Sequence, residues 1–331
     1  MTIESPKFKK GYFEKKAENY NIIGKNLTPE RKTEVVSYLE GRKDRSAEAI
    51  EGECIKTKEQ LRFINYVGKC LKGEFKELGI DKKPDILPEQ IHLLPRDIYR
   101  RETGRDSRPA FFFSLNQGVC INRDHYPTRI KLYKAIIHEM IHSNSFLRFQ
   151  ERKEELQPFR SKVGYSSAFG EKGERYEQFD GLNEMVADKF AFEVYSKHKE
   201  EFTEKFKFTD SEQNEGVSFY PTNILDTITK KIAVKNKENT KDVWERFKRG
   251  LFIGEVMHLR DVERTFGKDS LHLLSVFNFE DEAMEKNYGE ILECFETDDD
   301  KKREEIIGEL LPELEKHEIK PEEEGKISQE R

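Results

Sequence analysis

Lys131-Leu-Tyr-Lys-Ala-Ile-Ile-His138-Glu139-Met-Ile-His142 is the stretch on which the fold and chemistry of this chain turn. Two histidines stand four residues apart inside an apolar run, with a glutamate directly after the first. In a helix of 3.6 residues per turn, His138 and His142 leave the same face, near enough to share one metal ion. Glu139 projects at the edge of that face, within reach of a water on such an ion. Ile136, Ile137, Met140 and Ile141 predict that the helix is buried. Buried imidazoles without partners are costly, whereas ligation satisfies one ring nitrogen of each. Two polar residues on a surface turn, the bland alternative, fit this apolar setting poorly.

An H-E-x-x-H site needs a third protein ligand and an open position for water. A later histidine in an HExxHxxGxxH pattern is closed off, because position 145 is Ser and position 148 is Arg. A glutamate on a following helix, in the context N-E-x-x-[AS]-D, is the other solution. Asn183-Glu184-Met-Val-Ala187-Asp188 matches it, 42 residues beyond His142 (184 − 142). Glu184 and Asp188 are i, i+4, so their carboxylates face the same way. One can bind metal while the other accepts the spare N–H of a ligand histidine and fixes its tautomer.

His138-Glu-Met-Ile-His142 followed by Gly181-Leu-Asn-Glu184-Met-Val-Ala-Asp188 resembles the gluzincin group of zinc metallopeptidases, in particular compact bacterial minigluzincin-like members. The similarity spans about residues 110 to 200 and extends more weakly over Tyr220 to Gly267. The resemblance implies one Zn2+ per chain, with His138, His142 and Glu184 as ligands and Glu139 as general base and proton shuttle. It implies that Asp188 supports His138 and that Asn183 supports His142. It also implies an antiparallel edge strand above the cleft, for which Val119-Cys120-Ile121 is the expectation, where an extended peptide adds as an extra strand. Such sites need a hydrogen-bond donor for the developing oxyanion. Among Tyr165, Tyr176 and Tyr220, Tyr176 is favoured because it lies shortly before the glutamate helix.

Composition narrows the partners. The chain has 331 residues, enough for one large domain or two modest ones. Its net charge is −6 with no long basic run, which argues against nucleic acid as the main partner. No apolar run approaches the roughly 20 residues that span a bilayer, so no membrane segment is expected. The opening MTIESPKFKKGYFEKK lacks the apolar core of a secretory signal. Cys54, Cys70, Cys120 and Cys294 form no C-x-x-C pair and read as free thiols of a reducing compartment. A soluble, cytoplasmic protein is expected.

Along the chain, a charged extension (1–55) with one short helix after Thr28-Pro29 precedes the domain at 56–280. A capped amphipathic helix runs from Thr57 to Leu78 and is stopped by Gly79. Pro84 to Pro95 reads as a punctuated linker, and Arg108 to Asn122 as a hairpin of two short strands. The metal helix is expected over 128–149, the glutamate helix over 181–197, and a helical part over 222–280. Between the metal and glutamate helices, Lys162–Tyr165 and Tyr176–Phe179 suggest a hairpin or a lid. Residues 281–331 read as a charged, partly helical tail ending in about a dozen disordered residues. The fold class is therefore α+β and zincin-like: a small mixed sheet, the metal helix, the glutamate helix and a helical C-terminal subdomain. The leading expectation is a zinc metallopeptidase acting on peptide or protein substrates. A non-catalytic zincin scaffold with structural zinc and a zinc amidohydrolase acting on a non-protein amide are the alternatives.

Overall fold

The structure, a computed structural model, describes residues 20–25, 27–104, 108–151, 158–169, 174–209, 212, 220–279, 282–315 and 320–321. Within them the chain is a mixed α+β protein with two small sheets. Strand β1 (Asn21–Ile23) is followed by helices Pro29–Arg45 and Lys58–Glu77. The second helix opens with a full capping box. The Thr57 hydroxyl accepts from Gln60 N at 3.1 Å, and the Gln60 side chain accepts from Thr57 N at 2.8 Å. These bonds satisfy two of the backbone N–H groups that any helix start leaves open. Gly79, at φ +67, terminates it as the sequence suggests.

A three-stranded sheet follows, built from β2 (Ile91–Leu94), β3 (Ala110–Phe113) and β4 (Gly118–Asn122). Strands β3 and β4 form the expected hairpin, with Phe113 opposite Gly118 and Gln117 at φ +52 in the turn. The strand order is β2-β4-β3, with β2 parallel to β4. Val119-Cys120-Ile121 therefore lies at the centre of the sheet and has no free edge. Its second neighbour is Ile91-His-Leu-Leu94, which reads as part of a linker but is a strand buried at all four positions. A run covered on both faces carries no alternation by which to recognise it. The outer strand on the hairpin side is β3.

The metal helix, Arg129–Ser143, packs across this small sheet and is buried continuously from Leu132 to His142. It ends six residues earlier than expected. The Asn144 amide donates to Met140 O at 2.7 Å and the Ser145 hydroxyl to Ile141 O at 3.1 Å, capturing the last carbonyls. The chain then turns into β5 (Leu147–Gln150). With β6 (Phe159–Val163), β7 (Ser166–Phe169) and β8 (Glu174–Gln178) it makes an antiparallel meander. Strand β1 adds parallel to β5, and β9 (Lys320–Pro321) adds to β8. Tyr20, Ile22, Val35, Val36, Leu39 and Phe149 share a small core, so residues 20–45 are built into this sheet.

The glutamate helix, Asp180–Lys197, packs on the metal helix, and helices Asn223–Asn236, Thr240–Ile253 and Ser270–Val276 pack on the glutamate helix. The two-helix region 282–315, expected as a charged tail, is part of this body. Ile291, Cys294, Phe295, Ile307, Leu310 and Leu314 are buried in the main core. The expected disordered end lies outside the described residues, apart from β9. No helix among the described residues is long and apolar enough to cross a membrane.

Candidate metal centre

Glu184 is positioned by how its helix begins. Phe179 adopts φ +61 and its N–H donates to Ser275 O at 2.7 Å, while Gly181 N–H donates to Phe277 O at 3.0 Å. The start of the glutamate helix is thus pinned to the segment 270–277. A β-carbon on Gly181 would stand 2.2 Å from the Phe277 ring, so only glycine allows this approach. Glu184 follows one turn later and points at the metal helix.

There it meets both histidines. Glu184 Oε2 lies 3.1 Å from His138 Nε2 and 3.2 Å from His142 Nε2, and the two Nε2 atoms are 2.9 Å apart. Three ligand-type atoms from two helices converge on one point, and none of the three residues is more than 7% exposed. Around a tetrahedral ion with ligand bonds of about 2.0–2.1 Å, neighbouring ligand atoms stand roughly 3.3 Å apart. The observed triangle needs only a few tenths of an ångström of expansion to hold such an ion. Charge points the same way. Glu139, Asp180, Glu184 and Asp188 bring four buried carboxylates to this region, and Arg108 lies against two of them, Asp180 and Glu184. These residues could hold a metal ion.

The groups behind the triangle orient it. His138 Nδ1 stands 3.5 Å from Asp188 Oδ1, the acceptor that favours Nδ1–H and turns the Nε2 lone pair inward. Asp188 Oδ2 in turn accepts from Tyr220 N at 3.2 Å. Asn183 lies at His142, but its amide is divided. The oxygen accepts from Tyr165 N at 3.0 Å, and the nitrogen faces His142 Nδ1 at 3.4 Å. Asn183 therefore buttresses the His142 ring without supplying the acceptor that Asp188 gives His138. Gly164, at φ +56, makes room for it, since a β-carbon there would sit 2.3 Å from Asn183 Oδ1.

Electrostatics follow from this burial. Desolvation depresses the His138 imidazolium, but Asp188 and Glu184 outweigh it and push its pKa up to about 10, so the pocket favours positive charge there. Burial also opposes the Glu184 charge, yet His142, His138 and Arg108 hold its carboxyl well below the usual range. Glu139 differs: burial raises its carboxyl pKa, only partly countered by the two histidines. It is the more proton-avid carboxylate of the pair.

A cleft opens over Glu139, His142 and Glu184. Its walls include Ala110, Phe111 and Phe112 of β3, with Arg108, Arg160 and Tyr220. Val119, Cys120 and Ile121 are not among the residues lining it. Of the candidate oxyanion tyrosines whose side chains are described, Tyr220 lines this cleft, its ring 5.9 Å from that of His138, and Tyr165 does not. Burial and the nearby Glu184 charge raise its pKa, so it stays an O–H donor. Tyr165 is committed elsewhere: its hydroxyl donates to Phe247 O at 2.8 Å and lies 2.7 Å from His258 Nε2. Tyr176 falls in β8 opposite Phe169, and its side chain lies outside the described residues. Arg108 has no motif to announce it. Its Nη2 donates to Asp180 Oδ2 at 2.7 Å, and its Nη1 is 3.8 Å from Glu184 Oε1.

Comparison of the chain with protein-family models, with curated proteins and with solved structures gives no match.

Proposed function

We propose that this chain is a zinc-dependent metallopeptidase of the gluzincin kind, working in the reducing cytoplasm. One observation carries the proposal. His138 Nε2, His142 Nε2 and Glu184 Oε2 converge within 3.2 Å of one another at the floor of a cleft that also holds Glu139. Two imidazoles and one carboxylate are the donor set of a catalytic zinc with a position left for water. When bound, zinc supplies Lewis acidity, which lowers the pKa of a water and polarises a carbonyl.

The rest falls to the protein's own residues. Glu139 takes a proton at its carboxylate and later passes it to the leaving amine, and burial raises its basicity for that task. Asp188 holds the His138 ring in place. Tyr220 presents a neutral hydroxyl to the cleft, suited to a carbonyl oxygen that gains charge. Strand β3 flanks the same cleft at the outside of its sheet, where an extended peptide can pair with it. This role passes to β3 from the Val119–Ile121 segment. A purely structural metal would have no use for a buried, basic Glu139, which favours catalysis over a binding scaffold.

A peptide-library screen followed by the isosteric change Glu139→Gln tests the proposal. Hydrolysis of an accepted peptide should fall by about 10²–10⁴-fold while zinc stays bound. Unchanged hydrolysis would refute the role of Glu139.

A further inference from the structure

The two oxygens of Glu184 face different partners. Oε2 points at the Nε2 atoms of His138 and His142, whereas Oε1 points at Arg108 Nη1, 3.8 Å away. Arg108 is itself held by Asp180, whose Oδ2 accepts from Nη2 at 2.7 Å. Asp180 and Glu184 are i, i+4 on one helix, so they share a face and one planar guanidinium reaches both. The Arg108 side chain is nearly as buried as its partners, at 15% exposed against 10% for Asp180 and 9% for Glu184.

From this geometry we infer that Arg108 is a positioning residue that keeps Glu184 a one-oxygen ligand. The inference rests on the metal centre proposed above. A carboxylate with both oxygens free can chelate an ion and take two coordination positions. Drawing Oε1 toward the guanidinium leaves one position to Glu184 and one open toward the cleft. Arg108 lies two residues before β3, the strand where a substrate is proposed to pair. The metal ligand and the substrate strand are thereby braced by the same side chain.

Loss of Arg108 acts on metal binding with the opposite sign to loss of an ordinary supporting partner. Removing Arg108 frees Oε1 to chelate and leaves the cluster more negative, and both effects favour a bound cation. Cobalt(II) in place of zinc reports the coordination number through its visible absorption. Wild type should show the intense band of a four-coordinate ion. R108Q should lose at least about half of that intensity. It should also hold cobalt as tightly as wild type or more tightly in competition with a chromophoric chelator. R108K keeps the charge without the fork and should show the same loss of band with affinity near wild type. If R108Q does not fold, as judged by circular dichroism, D180N releases the anchor of Arg108 and reads the same band. An unchanged band in these variants overturns the inference. So does a 10- to 100-fold loss of affinity, the usual result of removing a partner that merely supports a ligand. Wild type that binds no cobalt counts against the metal centre itself, whereas binding with an unaltered R108Q counts against Arg108 alone.

Discussion

Gly181→Ala tests how the fold places Glu184. The added methyl would meet Phe277 Cδ1 at 2.2 Å and Phe277 O at 2.5 Å, about 1 Å short of ordinary contact. The carbonyl cannot retreat freely, because it accepts the Gly181 N–H at 3.0 Å. Overpacking of this kind costs about 1–3 kcal/mol. A strained or broken hydrogen bond adds about 0.5–1.5 kcal/mol. Better helix propensity returns up to about 1 kcal/mol. The net is a destabilisation of about 2.5 kcal/mol, within a range of about 0.5–4.5. The shift falls one turn before Glu184, so metal affinity should drop about 10- to 100-fold as well. Gly289→Ala is the control: it sits in helix Glu282–Glu296 with nothing within 4 Å of a β-carbon, and should gain about 0.5–1 kcal/mol. Urea denaturation and chelator competition measure both quantities. If Gly181→Ala matches Gly289→Ala in stability and keeps wild-type affinity, the pinned helix start does not position the ligand.

Tyr220→Phe should lower turnover about 10²–10³-fold with metal content unchanged, as loss of an oxyanion donor does. Tyr165→Phe should instead cost about 1–3 kcal/mol of stability by stranding Phe247 O and His258, with turnover little changed. Exchanged outcomes in steady-state kinetics would give Tyr165 the catalytic role. Burial holds His258 down at about 4, below its unfolded value near 6.5, so the native state keeps it neutral where the unfolded chain is protonated. Its contribution is full above pH 6.5 and is lost as pH falls toward 4, by up to about 3 kcal/mol. The stability difference between wild type and His258→Gln should therefore change across pH 7.5 to 4. A difference constant with pH would contradict this.

The metal helix and the glutamate helix were legible because each carries its chemistry at helical spacing. His138 and His142, then Glu184 and Asp188, are local pairs whose geometry one turn of helix dictates. The same locality made Thr57 and Gly79 readable as helix ends. What failed to show were relations between distant segments. Val119–Ile121 has the composition of any strand, and only the neighbour Ile91–Leu94 makes it central. The stop at Ser143 depends on side chains that capture their own carbonyls, a local signal carried by Asn144-Ser145 that periodicity alone passes over. Tyr220 and Arg108 reach the centre from 36 residues after Glu184 (220 − 184) and 30 before His138 (138 − 108). No spacing rule connects residues so far apart; the one local sign of Arg108 is its place two residues ahead of the aromatic strand β3. The region 282–315 looks charged because its apolar face is narrow, yet that face completes the main core.

Zinc uptake by the purified chain decides whether His138, His142 and Glu184 form a metal centre. After exposure to zinc and removal of excess, elemental analysis should give one zinc per chain for wild type. Glu184→Ala should bind zinc markedly more weakly, and a variant lacking both imidazoles, His138→Ala with His142→Ala, should bind none. A wild-type chain that takes up no zinc, or a Glu184→Ala chain that holds it with wild-type affinity, would contradict the account.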